Sequence, residues 1–243
     1  MKNHMNAIIF GIAIIVASLF LGRAYVDRSK PDGEIQVTGL GETNFTSDLI
    51  VWEGRFSAEN PTLRGAYATL EKDKQITREY LEEKGVDPSN IVFKAVEMIE
   101  LTRTKYNDEG NYAGEEFIGY RLFQTLEIES KEVEKIERIS REITELLNKG
   151  VQFYSQSPRY YLTQLKDLKI EMISRATEDA RVRAEKIAEN SGGKLGELHS
   201  AKMGVFQITG QNSKEDYSWG GTFNTSSKEK TASITMRLVY KVN

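Results

Sequence analysis

Residues 231–242 read TASITMRLVYKV. Ala232, Ile234, Met236, Leu238, Tyr240 and Val242 alternate there with Thr231, Ser233, Thr235, Arg237 and Lys241. Successive side chains of a strand point to opposite faces, so this pattern predicts a strand with one face in a core and one in water. Strands of that kind build antiparallel sheets. Working outward, the same period appears in Ile50, Trp52, Gly54 and Phe56, which makes Trp52 a core residue. Residues 35–38 read as a strand that exits tightly at Gly39-Leu40-Gly41, and residues 151–154 and 198–208 read as further strands. Residues 91–106 and 116–129 flank Asn107-Asp108-Glu109-Gly110-Asn111, a long hairpin in which Ile118, Tyr120, Leu122, Leu126 and Ile128 share a side opposite Arg121 and Glu127.

Helical spacing separates these strands. Residues 61–83 place Leu63, Tyr67, Leu70 and Leu81 near one face, with Gly85 as the stop. Ser130 is the expected N-cap of a second helix, in which Val133, Ile136, Ile139, Ile143, Leu146 and Leu147 recur at three and four before Gly150. After a turn at Ser157-Pro158, residues 163–190 align Leu165, Leu168, Met172, Ala176, Ala180, Ala184 and Ile187 until Gly192-Gly193. The small alanines predict close packing on a sheet. Helices interspersed with hairpins, without a regular βαβα rhythm, predict an α+β fold: a mainly antiparallel sheet with helices on one face and two similar halves.

Residues 7–21, AIIFGIAIIVASLFL, form an uncharged apolar run behind Lys2 and His4, and no acidic residue precedes Asp27. Fifteen helical residues cover about 22 Å, against a hydrocarbon layer of about 30 Å. With Arg23 snorkelling and Ala24, Tyr25 and Val26 continuing the helix, about 20 residues span it. Residues 1–26 therefore read as a signal-anchor or a signal peptide, residues 27–33 (DRSKPDG) as a linker, and residues 34–243 as the folded module. Lys2 competes with Arg23, Arg28 and Lys30 for orientation, but long C-terminal domains translocate largely regardless of such charges. The expected location is the cell envelope, anchored in the inner membrane facing the periplasm or exported into it. The expected partners are the membrane, through the N-terminal helix, and an unidentified envelope protein or ligand.

The 243 residues are 39% apolar and 28% charged, a globular composition, and contain no cysteine. Disulfides, thiolate nucleophiles and Cys-ligated metals are thereby excluded. Removing Lys2 and Arg23 from a chain of net charge −3 leaves about −5 on the remainder, which carries no basic stripe, so nucleic acid is not an expected partner. His4 and His199 are the only histidines, too few for a histidine-rich metal centre, and no G-x-S-x-G elbow surrounds a serine. Gly39-Leu40-Gly41 has Asn44 where a dinucleotide loop needs its third glycine. Ser227-Lys228-Glu229-Lys230 matches S-x-x-K but precedes a strand, where an acylating serine needs a helix. No catalytic, cofactor or metal residues are assigned, and the expectation is a protein that is not an enzyme. Residues 209–230, polar and glycine-rich yet carrying Tyr217, Trp219 and Phe223, stand out as a long segment without periodicity. Those three aromatics are the candidate contact residues for a partner or ligand.

Several marks occur together in order: Val37-Thr38-Gly39-Leu40-Gly41, Leu81-Glu82-Glu83-Lys84-Gly85-Val86 before Ile91, Gly119-Tyr120-Arg121, and an alanine-rich helix over residues 176–188 closed by Gly192-Gly193-Lys194-Leu195-Gly196. On these the chain after residue 34 resembles the SIMPL-domain family of periplasmic immunogenic and oxidative-stress defence proteins. It departs from the family at residues 224–228 (NTSSK), where a Pro-Gly usually precedes the last strand. The resemblance implies a non-enzymatic α+β envelope protein, stress-related and homo-oligomeric, with no cofactor. The expected function is self-association or partner binding. An alternative is a small-molecule or glycan-binding module using the 209–230 loop, and a third is a carboxylate hydrolase for which no acid pair can be singled out.

Overall fold

The computed structural model describes residues 2–29, 33–216 and 218–242, and within the first helix it describes side chains over residues 10–25. In chain order the elements are α1 (Lys2–Ser29), β1 (Glu34–Thr46), β2 (Leu49–Asn60), α2 (Leu63–Glu83), β3 (Ile91–Tyr106), β4 (Tyr112–Ser130) and α3 (Val133–Glu142). They continue with β5 (Gln152–Ser155), β6 (Arg159–Tyr161), α4 (Leu165–Asn190), β7 (Leu195–Met203), β8 (Gln207–Gly210) and β9 (Glu229–Val242). The fold is α+β, with two antiparallel sheets in place of the single sheet expected. One has the order β1-β9-β7 with β8 also on β9, and the other β3-β4-β2-β5 with β6 also on β2. Only Ser47 and Asp48 separate β1 from β2, and their N–H groups donate to the carbonyls of Lys228 and Tyr161, each at 3.0 Å. Those bonds send the two strands to different partners.

The chain forms two compact units, residues 1–40, 176–204 and 235–243, and residues 41–175 and 205–234. The second has a core of large side chains. Ile50, Trp52 and Phe56 of β2 point with Leu122, Leu126 and Ile128 of β4 toward Leu70 and Leu81 of α2 and Ile136 and Ile139 of α3, all at most 2% exposed. The Trp52 and Phe56 rings lie 6.1 Å and 6.4 Å from Phe153 of β5. Gly54 makes room for that ring, since a Cβ on it would stand 2.2 Å from Phe153 Cζ. Trp52 Nε1 donates to Ser155 Oγ at 3.1 Å, and Ser155 Oγ donates to the Ser140 carbonyl at 2.7 Å, so the buried indole N–H is satisfied.

The first unit packs differently. Ala176, Ala180, Ala184 and Ala188 of α4 are at most 1% exposed, and a Cβ on Gly39 of β1 would fall 2.1 Å from the Ala176 carbonyl oxygen and 2.5 Å from the Ala180 nitrogen. Gly39 is thus not the tight strand exit expected. β1 runs on to Thr46, and the glycine lets strand backbone touch helix backbone.

Other expectations are corrected in detail. Ile187 is exposed while Ala188 is buried, because the buried positions of α4 repeat every four residues. Leu63, Tyr67, Ile118 and Leu147 are also exposed. The strand expected over residues 198–208 is broken at Gly204, whose N–H donates to the Thr235 carbonyl at 2.8 Å and whose Cβ would meet Thr235 Oγ1 at 2.3 Å. Ser130 ends β4 and accepts the Glu132 N–H, and Glu132 is the residue at the N-cap of α3. Thr62 caps α2 by accepting the Gly65 N–H at 3.2 Å, and left-handed Gly85 and Gly192 end α2 and α4 as expected. Among the described residues no helix is long and apolar enough to cross a membrane.

Candidate functional site

The loop singled out in the sequence is built on Gln207 of β8, which is buried. Its Oε1 accepts the N–H groups of Thr222 at 2.7 Å and Ser218 at 3.4 Å, and its Nε2 donates to the Ser218 carbonyl at 2.8 Å. The Gly221 N–H closes a turn on the Ser218 carbonyl at 3.1 Å, with Trp219 and Gly220 at its centre. Gly221 has φ +93°, a conformation that favours glycine. A second hub is Glu215, whose carboxylate accepts the Gly210 N–H at 2.9 Å and the amide of Asn224. These bonds, the Gly210 N–H foremost, hold its carboxyl below the usual range.

This scaffold displays aromatics rather than enclosing them. Trp219 is fully exposed at 101% and Phe223 at 52%, and no ring or cation among the described residues stacks on either. Phe223 bridges Ile208 of β8 through its backbone. Tyr217 lies outside the described residues.

The remaining candidates are dispersed. His199, on β7, has a side chain 54% exposed with Nε2 3.7 Å from Glu34. Lys230, the end of the S-x-x-K match, is buried and donates to the Tyr160 carbonyl, and burial pushes its ammonium down to about 8. Ser227 instead gives its N–H to Asn224 Oδ1 at 2.8 Å. Carboxylates on the other face of the second sheet are matched by cations: Lys94 bridges Glu53 at 3.1 Å and Glu127 at 2.9 Å, and Arg159 reaches Glu53 at 2.8 Å. The Lys94 hydrogen bond is the main reason the Glu53 carboxyl lies low. Asp73 on α2 moves the other way, burial pushing its carboxyl up. No three of the described His, Asp and Glu residues converge as metal ligands.

Two features emerge that have the character of surfaces. The first is a ribbon. β2 accompanies β4 from Ser130 to Tyr120 and ends at Asn60, so Tyr112 to Gly119 of β4 pair only with β3, from Tyr106 to Leu101. The two strands project beyond the sheet by about 20 Å. Gly119, at φ +151°, sits at the root, where a Cβ would stand 2.7 Å from the Asn60 carbonyl oxygen. Tyr106, Tyr112, Phe117 and Ile118 on the ribbon, and Val96, Met98 and Ile99 on the part of β3 before it, are all more than a third exposed. Sequence reasoning found the hairpin but not this exposure. The available signal was Val96, Met98, Ile99 and Leu101, apolar at both parities of one strand.

The second feature is α1. Phe10, Ile12, Ile14, Ile15, Val16, Leu19, Phe20, Leu21 and Tyr25 are 45% to 74% exposed and leave no polar face. Burying nine such side chains is worth on the order of 10 kcal/mol.

A search of curated proteins finds no match. A comparison with protein families matches residues 35–240 to SIMPL, Protein of unknown function (DUF541). That span takes in Gly39 with its close approach to α4, the ribbon and β9 as far as Tyr240, and the chain belongs to the SIMPL family.

Proposed function

We propose that this protein is a cell-envelope module, tethered by α1 in the inner membrane with the rest of the chain in the periplasm, that works by self-association or by holding a partner rather than by turnover, in a stress-related setting. The observation that carries the reading is the apolar surface of α1, exposed on every side in water. A helix apolar all round is stable where lipid or protein surrounds it. No described helix is long and apolar enough by itself to span, and the reading joins the exposed apolar surface over residues 10–25 to the apolar run that by sequence begins at Ala7, about 30 Å of helix in all. The test is a C-terminal reporter fusion combined with alkaline extraction of membranes. The expected result is an extracytoplasmic reporter on a chain that stays in the membrane fraction, with Ile14→Asp plus Ile15→Asp releasing it. A reporter active only in the cytoplasm overturns the proposal.

A second reading, small-molecule or glycan binding, is favoured by Trp219, whose ring is free on a turn fixed by Gln207. Glycan-array binding that is lost in Trp219→Ser plus Phe223→Ser, with the melting temperature unchanged, supports it. Binding unaffected by those changes removes it.

A further inference from the structure

We propose that the free edge of β3 pairs antiparallel with β3 of a second copy, about a two-fold axis at Leu101, joining two five-stranded sheets into one. This rests on the self-association reading above and names its surface. β3 is the outermost strand of its sheet, with β4 as its only partner among the described strands. One long side of β3 therefore presents unpaired backbone donors and acceptors, the template for strand addition. Beyond Asn60 the ribbon has only two strands, an arrangement of marginal stability in water by itself, and its apolar side chains lie open.

Charge decides between a second copy and a blocked edge. Charged residues on an edge strand commonly guard against pairing, and β3 carries Lys94, Glu97, Glu100, Arg103 and Lys105. In an antiparallel pair, facing residues both turn their backbone groups toward the partner or both turn them away. A strand pairing symmetrically with itself therefore matches residues of equal parity and is centred on a residue. Centring on Glu97, Arg103, Thr104 or Lys105 sets like charges face to face, and centring on Glu100 sets Glu100 against itself beside two Glu97–Arg103 pairs. Centring on Met98, Ile99 or Thr102 leaves every charge on the strand opposite a neutral residue. Centring on Leu101 places Glu97 opposite Lys105 of the second copy, twice by symmetry, with Arg103 on the diagonal. Leu101 then meets Leu101, and Val96 meets Tyr106. The side chains of Glu97, Arg103 and Lys105 are 63%, 69% and 51% exposed, and each pairs within its own chain, Glu97 with Arg55 at 2.9 Å and Arg103 and Lys105 with Glu116 at 3.0 Å and 3.6 Å, so pairing with a second copy exchanges exposed ion pairs for others. β3 is continuous from residue 96 to residue 104, and its ladder with β4 shifts between Thr104 and Tyr106, so Lys105 and Tyr106 meet the second copy across that irregularity. The edge charges therefore select one register instead of forbidding all.

The test uses the full chain in detergent micelles. Because the protein has no cysteine, Leu101→Cys supplies its only thiol. Facing residues in an antiparallel pair have Cα atoms about 4.5–5.5 Å apart, within disulfide reach. Mild oxidation is expected to give a covalent dimer with Leu101→Cys and none with Tyr112→Cys, on the neighbouring strand. Independently of that variant's folding, sedimentation of Glu97→Lys or Lys105→Glu is expected to weaken association about tenfold or more, and the double exchange to restore it. Self-association that persists with no Leu101 cross-link and no response to either charge reversal overturns the edge pairing and leaves self-association standing. A chain that stays monomeric at every concentration overturns both.

Discussion

The two units solve the same problem, a helix against a sheet, in opposite ways. Around Trp52 the space is filled by side chains, with three aromatic rings within 6.4 Å of a neighbour and Gly54 cleared to admit one of them. Around Gly39 the space is closed by removing side chains, so that β1 lies on the backbone of α4 between Ala176 and Ala180. The first arrangement draws on the hydrophobic effect and dispersion among large groups. The second draws on backbone proximity and one directed hydrogen bond, from the Leu40 N–H to Asp179 Oδ2 at 2.8 Å. The two regions therefore fail to opposite substitutions: the aromatic region to truncation, the seam to enlargement.

The largest expected effect is that of Trp52→Ala. It leaves a cavity among Phe56, Phe153 and the β2 neighbours and removes the indole donor to Ser155, whose hydroxyl keeps its bond to the Ser140 carbonyl, at a cost of about 3–5 kcal/mol. Chemical denaturation of the full chain measures the loss, and hydrogen exchange locates it in the amides of β2 and β4. A loss below about 1 kcal/mol would show that the aromatic packing is not what holds that unit. Gly39→Ala comes next. One methyl group inserted at 2.1 Å from a carbonyl oxygen forces β1 off α4, at about 2–3 kcal/mol, with faster exchange in the amides of β1 and α4. An Ala there that leaves exchange unchanged would show that the seam has slack.

How much of this was legible in the sequence follows the same division. Trp52, Ile50 and Phe56 announce their burial by local alternation, and the stripe of α3 announces its face, because both signals are complete within a dozen residues. Gly39 is bound to a helix that begins more than 120 residues later, and nothing local separates a glycine in a turn from one pressed on a helix backbone. The break at Gly204 depends in the same way on Thr235. Ile187 misled because a hydrophobic residue at helical spacing outweighed Ala188 in any apolar count, although contact with a close backbone selects the smaller side chain. At the candidate sites the 209–230 loop stood out by composition, but its hubs, Gln207 and Glu215, are ordinary polar residues whose role appears only with their partners. Two sheets were read as one because Ser47 and Asp48 carry no signal of the strands they part.

The smallest expected effect separates the two regions by chemistry instead of size. Asp179 accepts the Leu40 N–H, and that bond, ahead of the pairing with Arg183 at 2.9 Å, lowers its carboxyl below the ordinary value. A carboxyl depressed in the folded state adds stability that is fully present above its unfolded value, near pH 4, and is lost as pH falls through the folded value. The side chain of Asp179 is a third exposed, so water offsets part of the bond and Asp179→Ala is expected to cost about 1 kcal/mol at neutral pH. On acidification from pH 7 to pH 3 the cost of Asp179→Ala should shrink, because the carboxyl gains its proton as pH falls toward its folded value. The Trp52–Ser155–Ser140 relay contains no titrating group, so Ser155→Ala should cost the same at both pH values. Denaturant midpoints for the two variants at pH 7 and pH 3 make the measurement. A cost of Asp179→Ala that is unchanged by acidification would mean that the charge of the carboxylate adds nothing to the seam beyond what the neutral side chain provides.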